Sequence, residues 1–188
     1  MNIQLDRSLR RAGCAVVVAL LALLGACASA PPTAASMVPA APVAVKKHHP
    51  AKVAVTATSV FDGQSGAAAK PGEKTGGALI EEAVGDAIRQ SKVFSQVVTK
   101  GDAQYVLAAT LIANDTPPWG GTFTAKCEMG WTLTKADGSQ VWREVLKSEG
   151  TATGSDAFVG MQRARMARER AVRENIAQAL QKIGSLEL

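Results

Sequence analysis

The sequence predicts an α+β fold, a two-layer sandwich in which a largely antiparallel sheet carries two helices on one face. Three observations predict it. Residues 122–134 alternate with a period of two, the Asp137–Gly138 pair that follows supplies hairpin turn chemistry, and residues 76–92 and 161–183 carry apolar stripes at helical spacing. A half-apolar sheet face and two amphipathic helices have to bury those surfaces against each other, which gives two layers.

Composition sets the frame. The chain has 188 residues, 47% hydrophobic and 20% charged, with formal net charge +5. Its hydrophobic share is inflated by 34 alanines while aromatics are 4%, so a modest core of Val, Ile, Leu and a few rings is expected. Collagen-like, coiled-coil, polytopic membrane and disulfide-rich folds are excluded, because there are three cysteines, no heptad or triplet repeat and no apolar run of about 20 residues.

At the N-terminus, Arg7, Arg10 and Arg11 precede fifteen uncharged residues, Ala12 to Ala26, dominated by Ala, Val and Leu. This is the layout of a cleavable export signal and is too short for a spanning helix. The run ends in Leu24-Gly25-Ala26-Cys27, which resembles the bacterial lipobox. That resemblance implies removal of residues 1–26, a thioether-linked diacylglycerol on Cys27 and an acyl chain on its new amine. No other cofactor is expected. Ala28 stands where an Asp would favour inner-membrane retention, so the expected address is the outer membrane with the domain facing the periplasm. Three acyl chains hold a protein far more firmly than one, since each buried methylene contributes about 0.8 kcal/mol. Cys14 leaves with the signal and Cys27 is acylated, so Cys127 stands alone and no intramolecular disulfide can form.

Residues 27–50 read as the lipidated cysteine and a tether. Residues 28–50 hold five of the eight prolines and seven alanines with no aromatic residue, a composition expected not to fold. A flexible coil of that length would reach roughly 25 Å, and an extended one about 70 Å. Lys46, Lys47, His48 and His49 close the tether and are read as a solvated hinge, the His pair lacking a rigid element on which to bind metal.

Residues 51–188 read as one domain. The β-branched run 52–61 is a first strand, and 62–74 is a Gly/Pro/Ala loop. Helix one runs from about Gly76 to Lys92, capped by Thr75, with Ile80, Ala83, Val84, Ala87 and Ile88 on its apolar stripe. Residues 93–99 form a short strand and 104–113 a nearly continuous apolar run suited to a central one. On 122–134, Phe123, Ala125, Cys127, Met129, Trp131 and Leu133 share the buried face, and 141–153 returns antiparallel. The last helix carries Val172, Ile176, Ala179, Leu180 and Ile183 on its stripe.

No catalytic constellation emerges. Gly72-Glu73-Lys74-Thr75 sits between a strand and a helix as a phosphate loop would, but Glu73 separates the glycine from the lysine and brings its own negative charge. Both histidines lie in the tether, so Ser-His-Asp and Cys-His catalysis would have no ordered base, and no metal site is expected. The charge distribution says more. Arg163, Arg165, Arg168, Arg170 and Arg173 against Glu169 and Glu174 place +3 within twelve residues at the start of the last helix. Two readings follow: a solvated helix start, or a surface for an anionic partner, since guanidinium forks match phosphate and carboxylate. A second candidate is Trp119 in the loop NDTPPWGG (114–121), either an anchor for a partner or interfacial lipid, or a ring packed back over the sheet edge.

The stretches ALIEEAVGDAIRQSKVFSQVV, GDAQYVLAATL, DGSQVWREVL and AVRENIAQALQKI, in β-α-β-β-β-α order behind a lipobox, resemble the small envelope lipoproteins. These include the LPS-assembly lipoprotein, the auxiliary lipoproteins of ABC-type lipid transporters and the penicillin-binding-protein activators. The likeness spans nearly all of residues 51–188. It implies a non-catalytic accessory module in envelope assembly or lipid transport, bound to another envelope protein or an anionic envelope lipid, with no nucleic-acid partner. Activation of a peptidoglycan synthase, or an envelope enzyme, are the alternatives.

Overall fold

The computed structural model describes residues 31–62 and 74–188, so the signal, the lipobox and most of the 62–74 loop lie outside the described residues. The element order is α1 (Ala34–Met37), β1 (His49–Ser59), α2 (Gly76–Ser91), β2 (Phe94–Val97), a 3-10 turn (Lys100–Asp102), β3 (Tyr105–Asp115), β4 (Phe123–Lys135), β5 (Gln140–Ala152) and α3 (Gly160–Ile183). The expected α+β architecture is present, with an open five-stranded sheet in the order β2-β1-β3-β4-β5. The two pairings among the long strands β3, β4 and β5 are antiparallel, and the two that β1 makes are parallel, so the sheet is mixed.

Local chemistry explains the element ends. Thr75 accepts a hydrogen bond from Ala78 N and caps α2, and Asp62 accepts from Gly76 N at 2.8 Å and from Gly77 N at 3.0 Å. The positive end of α2, where a phosphate loop would hold its ligand, is therefore filled by the chain's own carboxylate. Gly77 is required by close approach, since a Cβ there would meet the Ala57 carbonyl at 2.9 Å and Asp62 Oδ2 at 2.8 Å. At the hairpin, Gly138 takes φ 86° while Asp137 accepts from Ser139 N.

The core lies between the sheet and the helices α2 and α3. Trp131, Met129, Leu133, Leu107, Ile80 and Ile176 are fully buried there, each such side chain contributing about 1.5–3 kcal/mol. One contact is exceptionally close. A Cβ on Gly150 of β5 would fall 2.7 Å from the Arg170 carbonyl carbon and nearer still to Ala171 N and Ala167 O, so the α3 backbone rests directly on β5.

The expected tether is corrected over residues 32–50. Thr33 caps α1, Ala34, Met37 and Val38 join the main core, and α1 packs against both α2 and α3. Val43 and Val45 continue that packing, Lys47 N donates to the Gly184 carbonyl at 2.9 Å, and β1 begins at His49. Small apolar Ala, Val and Met side chains fill the seam between two helices without strand pairing, and Pro50 lies within β1 where its register with β2 shifts, between His49 and Lys52. The solvated hinge is corrected as well. His49 is buried, donates from Nε2 to the Ile183 carbonyl at 3.0 Å and tilts against Phe94, while His48 Nδ1 donates to the Lys92 carbonyl at 2.9 Å.

Candidate functional site

Trp119 and the arginines at the start of α3 lie toward one end of the domain, where β1 and β3 finish and β4 and α3 begin, while Arg173 sits further down α3 against α1 and Leu24, Gly25, Ala26 and Cys27 lie outside the described residues. Each of the five arginines on the first half of α3 makes a contact within the chain, although Arg168 stays exposed. Arg163 Nη1 donates to the Ala157 and Phe158 carbonyls at 2.8 and 2.7 Å, and its guanidinium lies 5.7 Å from the Phe123 ring centroid. Arg168 Nη2 donates to Thr116 Oγ1 at 2.8 Å. Arg173 donates to the Ser36 carbonyl from Nε at 3.2 Å and also from Nη2, which holds α1 on α3. Arg165 lies 3.7 Å from Glu169 in a one-turn ion pair.

Arg170 makes the most developed of these contacts. Its two terminal nitrogens donate to the two oxygens of Asp156 at 3.1 and 2.6 Å, and Nη1 also donates to the Thr151 carbonyl at 2.5 Å. Asp156 further accepts from Thr153 N at 2.8 Å. The Arg170 guanidinium, then the Thr153 amide, hold the Asp156 carboxyl well below the ordinary carboxylate range, and Asp156 raises the Arg170 value in return. The arginine cluster thus clamps two loops, 116–122 through Arg168 and 153–159 through Arg163 and Arg170.

Those two loops carry apolar side chains into solvent. Trp119 is 81% exposed and Phe158 97%, with Val159 and Met161 also exposed. Trp119, Pro117, Pro118, Phe123 and Met161 line a shallow groove of about 580 Å³ that Arg168 closes. Of the two readings of Trp119, the exposed ring is the one observed. Phe158, Val159 and Met161 were not found from sequence. No local pattern in residues 153–161 marks them, and only the tertiary path of 153–159 leaves them outward.

With that geometry in place, the fold can be matched. The chain shares it with a solved protein. That protein is a Xanthomonas campestris member of the DUF330 family model, superposing at TM-score 0.58 with 16% identity over 77% of this chain and 90% of that one. Two looser overlaps, too loose to argue from, are with a PelC dodecamer from Paraburkholderia phytofirmans and a minor lipoprotein from Acinetobacter baumannii. The first has TM-score 0.49 and 13% identity over 78% of this chain and 94% of that one, and the second TM-score 0.45 and 8% identity over 71% and 92%. No family model and no curated protein matches the chain.

Elsewhere, burial pushes the Cys127 thiol up to about 12, so it stays protonated at neutral pH and serves as a small core side chain. Among the described residues no three His, Cys, Asp or Glu side chains are grouped to hold a metal, and no helix is long and apolar enough to cross a membrane. Lys74 of the expected phosphate-loop context pairs with Glu82 at 2.5 Å, while Gly72 and Glu73 lie outside the described residues.

Proposed function

We propose that this chain is a bacterial lipoprotein held in the outer membrane by acyl chains on Cys27, with a non-catalytic domain facing the periplasm. The domain acts as an accessory binding module in envelope assembly or lipid transport, its partner another envelope protein or an anionic envelope lipid. The observation that carries the reading is the lipobox Leu24-Gly25-Ala26-Cys27 behind a basic and apolar export signal, only a few residues ahead of a folded domain. Ala28 supports the outer-membrane address. The presented surface is the loop pair around Trp119 and Phe158, with the arginines behind it.

Labelling cells with radioactive palmitate tests the anchor. The wild-type chain should take up label and fractionate with the outer membrane, and Cys27→Ser should lose the label and appear in the periplasm. Label persisting on Cys27→Ser would overturn the reading. Photocrosslinking from position 119, with Lys135 at the other end of the sheet as control, tests the module: adducts to an assembly or transport component are expected. Adducts to a peptidoglycan synthase would favour an activator instead.

A further inference from the structure

We infer that the end of the domain formed by the loops 116–122 and 153–161 is a membrane-seating surface. On this inference Trp119, Phe158, Val159 and Met161 rest in the interfacial region of the bilayer that holds the lipid anchor. It rests on acylation of Cys27 and goes beyond it, because an anchor by itself leaves the domain's orientation open.

The distribution of exposed apolar side chains is the first ground. Among the described residues nine large hydrophobic side chains are exposed, and four of them, Trp119, Phe158, Val159 and Met161, lie on these two loops and the first turn of α3. A Trp that is 81% exposed beside a Phe that is 97% exposed suits an interface where ring faces meet acyl chains and the indole N–H meets headgroups. The loops are braced for it, since Arg163 donates to the Phe158 carbonyl, Arg168 to the Thr116 hydroxyl and Arg170 to the Asp156 carboxylate. Side chains already held outward lose less freedom on docking.

Chain length is the second ground. Residues 32–50 do not form a leash, so the segment between Cys27 and the fold is short. The chain passes Arg173 at Ser36 and Gly184 at Lys47, which means that it runs down α3 toward the opposite end and starts nearer the apolar one. Nine residues separate Cys27 from Ser36 and span at most about 30 Å. From Arg173 up to Gly160 at the head of α3 is 13 residues, about 20 Å. A fully extended connection therefore passes the apolar end by only about 10 Å. A bilayer holding the acyl chains stays within contact range of Trp119.

The test uses the processed, acylated protein purified from membranes and reconstituted in phosphatidylethanolamine/phosphatidylglycerol vesicles that carry doxyl-labelled lipid. Trp131 is buried, and Trp142 lies in the hairpin arm at the other end, so quenching by shallow doxyl groups reports Trp119. A loss of about a third of total emission is expected, and Trp119→Phe should abolish it. Phe158→Ser with Met161→Ser should cut the quenching at least twofold while Trp119 remains. Protein that floats with the vesicles but shows no Trp119 quenching overturns the seating surface and leaves the anchor standing. A concentration-dependent blue shift without quenching also overturns it, in favour of a second copy of the chain covering the patch. Protein that does not float overturns the anchor and this inference together.

Discussion

The indole Nε1 of Trp131 donates to Asn175 Oδ1 at 2.8 Å, joining the centre of β4 to α3 in the middle of the core. Asn175 is fully buried, and its amide donates to the Leu146 carbonyl at 2.9 Å and to Ser148 Oγ at 3.1 Å. Ser148 in turn donates to the Ala171 carbonyl at 2.8 Å. One asparagine thus satisfies a Trp donor and a sheet carbonyl while fixing the register of helix on sheet.

Replacing Asn175 by Leu keeps the volume but strands the Trp131 N–H and the Leu146 carbonyl. A destabilisation of about 2–4 kcal/mol is expected, since each orphaned buried group costs about 1–3. Urea unfolding followed by Trp fluorescence measures it, and a change below about 0.5 kcal/mol would show that the network contributes little.

Gly150→Ala should be as damaging although it adds one methyl group. The new Cβ would overlap the α3 backbone at Ala167 and Ala171, and backbone cannot rotate away as a side chain can. Overpacking of this kind costs about 1–3 kcal/mol. Thermal unfolding of this variant beside Gly154→Ala, where a Cβ meets nothing, separates crowding from any general effect of losing a glycine.

Met37 tests whether residues 32–50 belong to the domain. It is 6% exposed, and truncation to Ala should cost about 2 kcal/mol. In a solvated tether the same change would be silent, so an unchanged urea midpoint would restore the tether.

Asp156 sets a pH dependence. Its carboxyl is held below the ordinary range by Arg170, so the native state binds the proton less readily than the unfolded chain does. The resulting stabilisation is present above the unfolded value of about 3.9 and is lost as pH falls from there through the lower native value. The stability difference between wild type and Asp156→Asn should therefore be level from about pH 8 to pH 5 and shrink below about pH 4. Urea unfolding across that range measures it. A difference that grew on acidification would reverse the assigned sign.

Legibility from sequence followed the reach of each interaction. The alternation of residues 122–134 was readable because a strand with one wet face writes its period into five or six consecutive choices, and each of the six apolar positions is buried. Thr75 as cap and Asp137–Gly138 as turn were readable for the same reason, each resting on contacts within three residues. Asp62 on the α2 N-terminus was not, because 14 residues separate acceptor from donor. The arginine cluster was visible as charge, but its partners Thr116, Asp156 and Ser36 are 52, 14 and 137 residues distant.

The amino-acid order by itself determined the α+β class, the two long helices, most of the strands and the single core face, since these depend on periodicity and on caps that are local along the chain. The lipobox is equally local, four consecutive residues. Tertiary structure decided what those elements leave over. Residues 32–50 look unfoldable in isolation because they cannot bury enough surface alone, and they fold because α2 and α3 provide an apolar seam for them. Phe158 and Val159 are exposed on the loop that Arg163 and the Arg170–Asp156 pair hold, and Met161 on the first turn of α3, a placement that no local pattern marks. Burial belongs to pairs of surfaces, and the second surface of each pair lies far away along the chain.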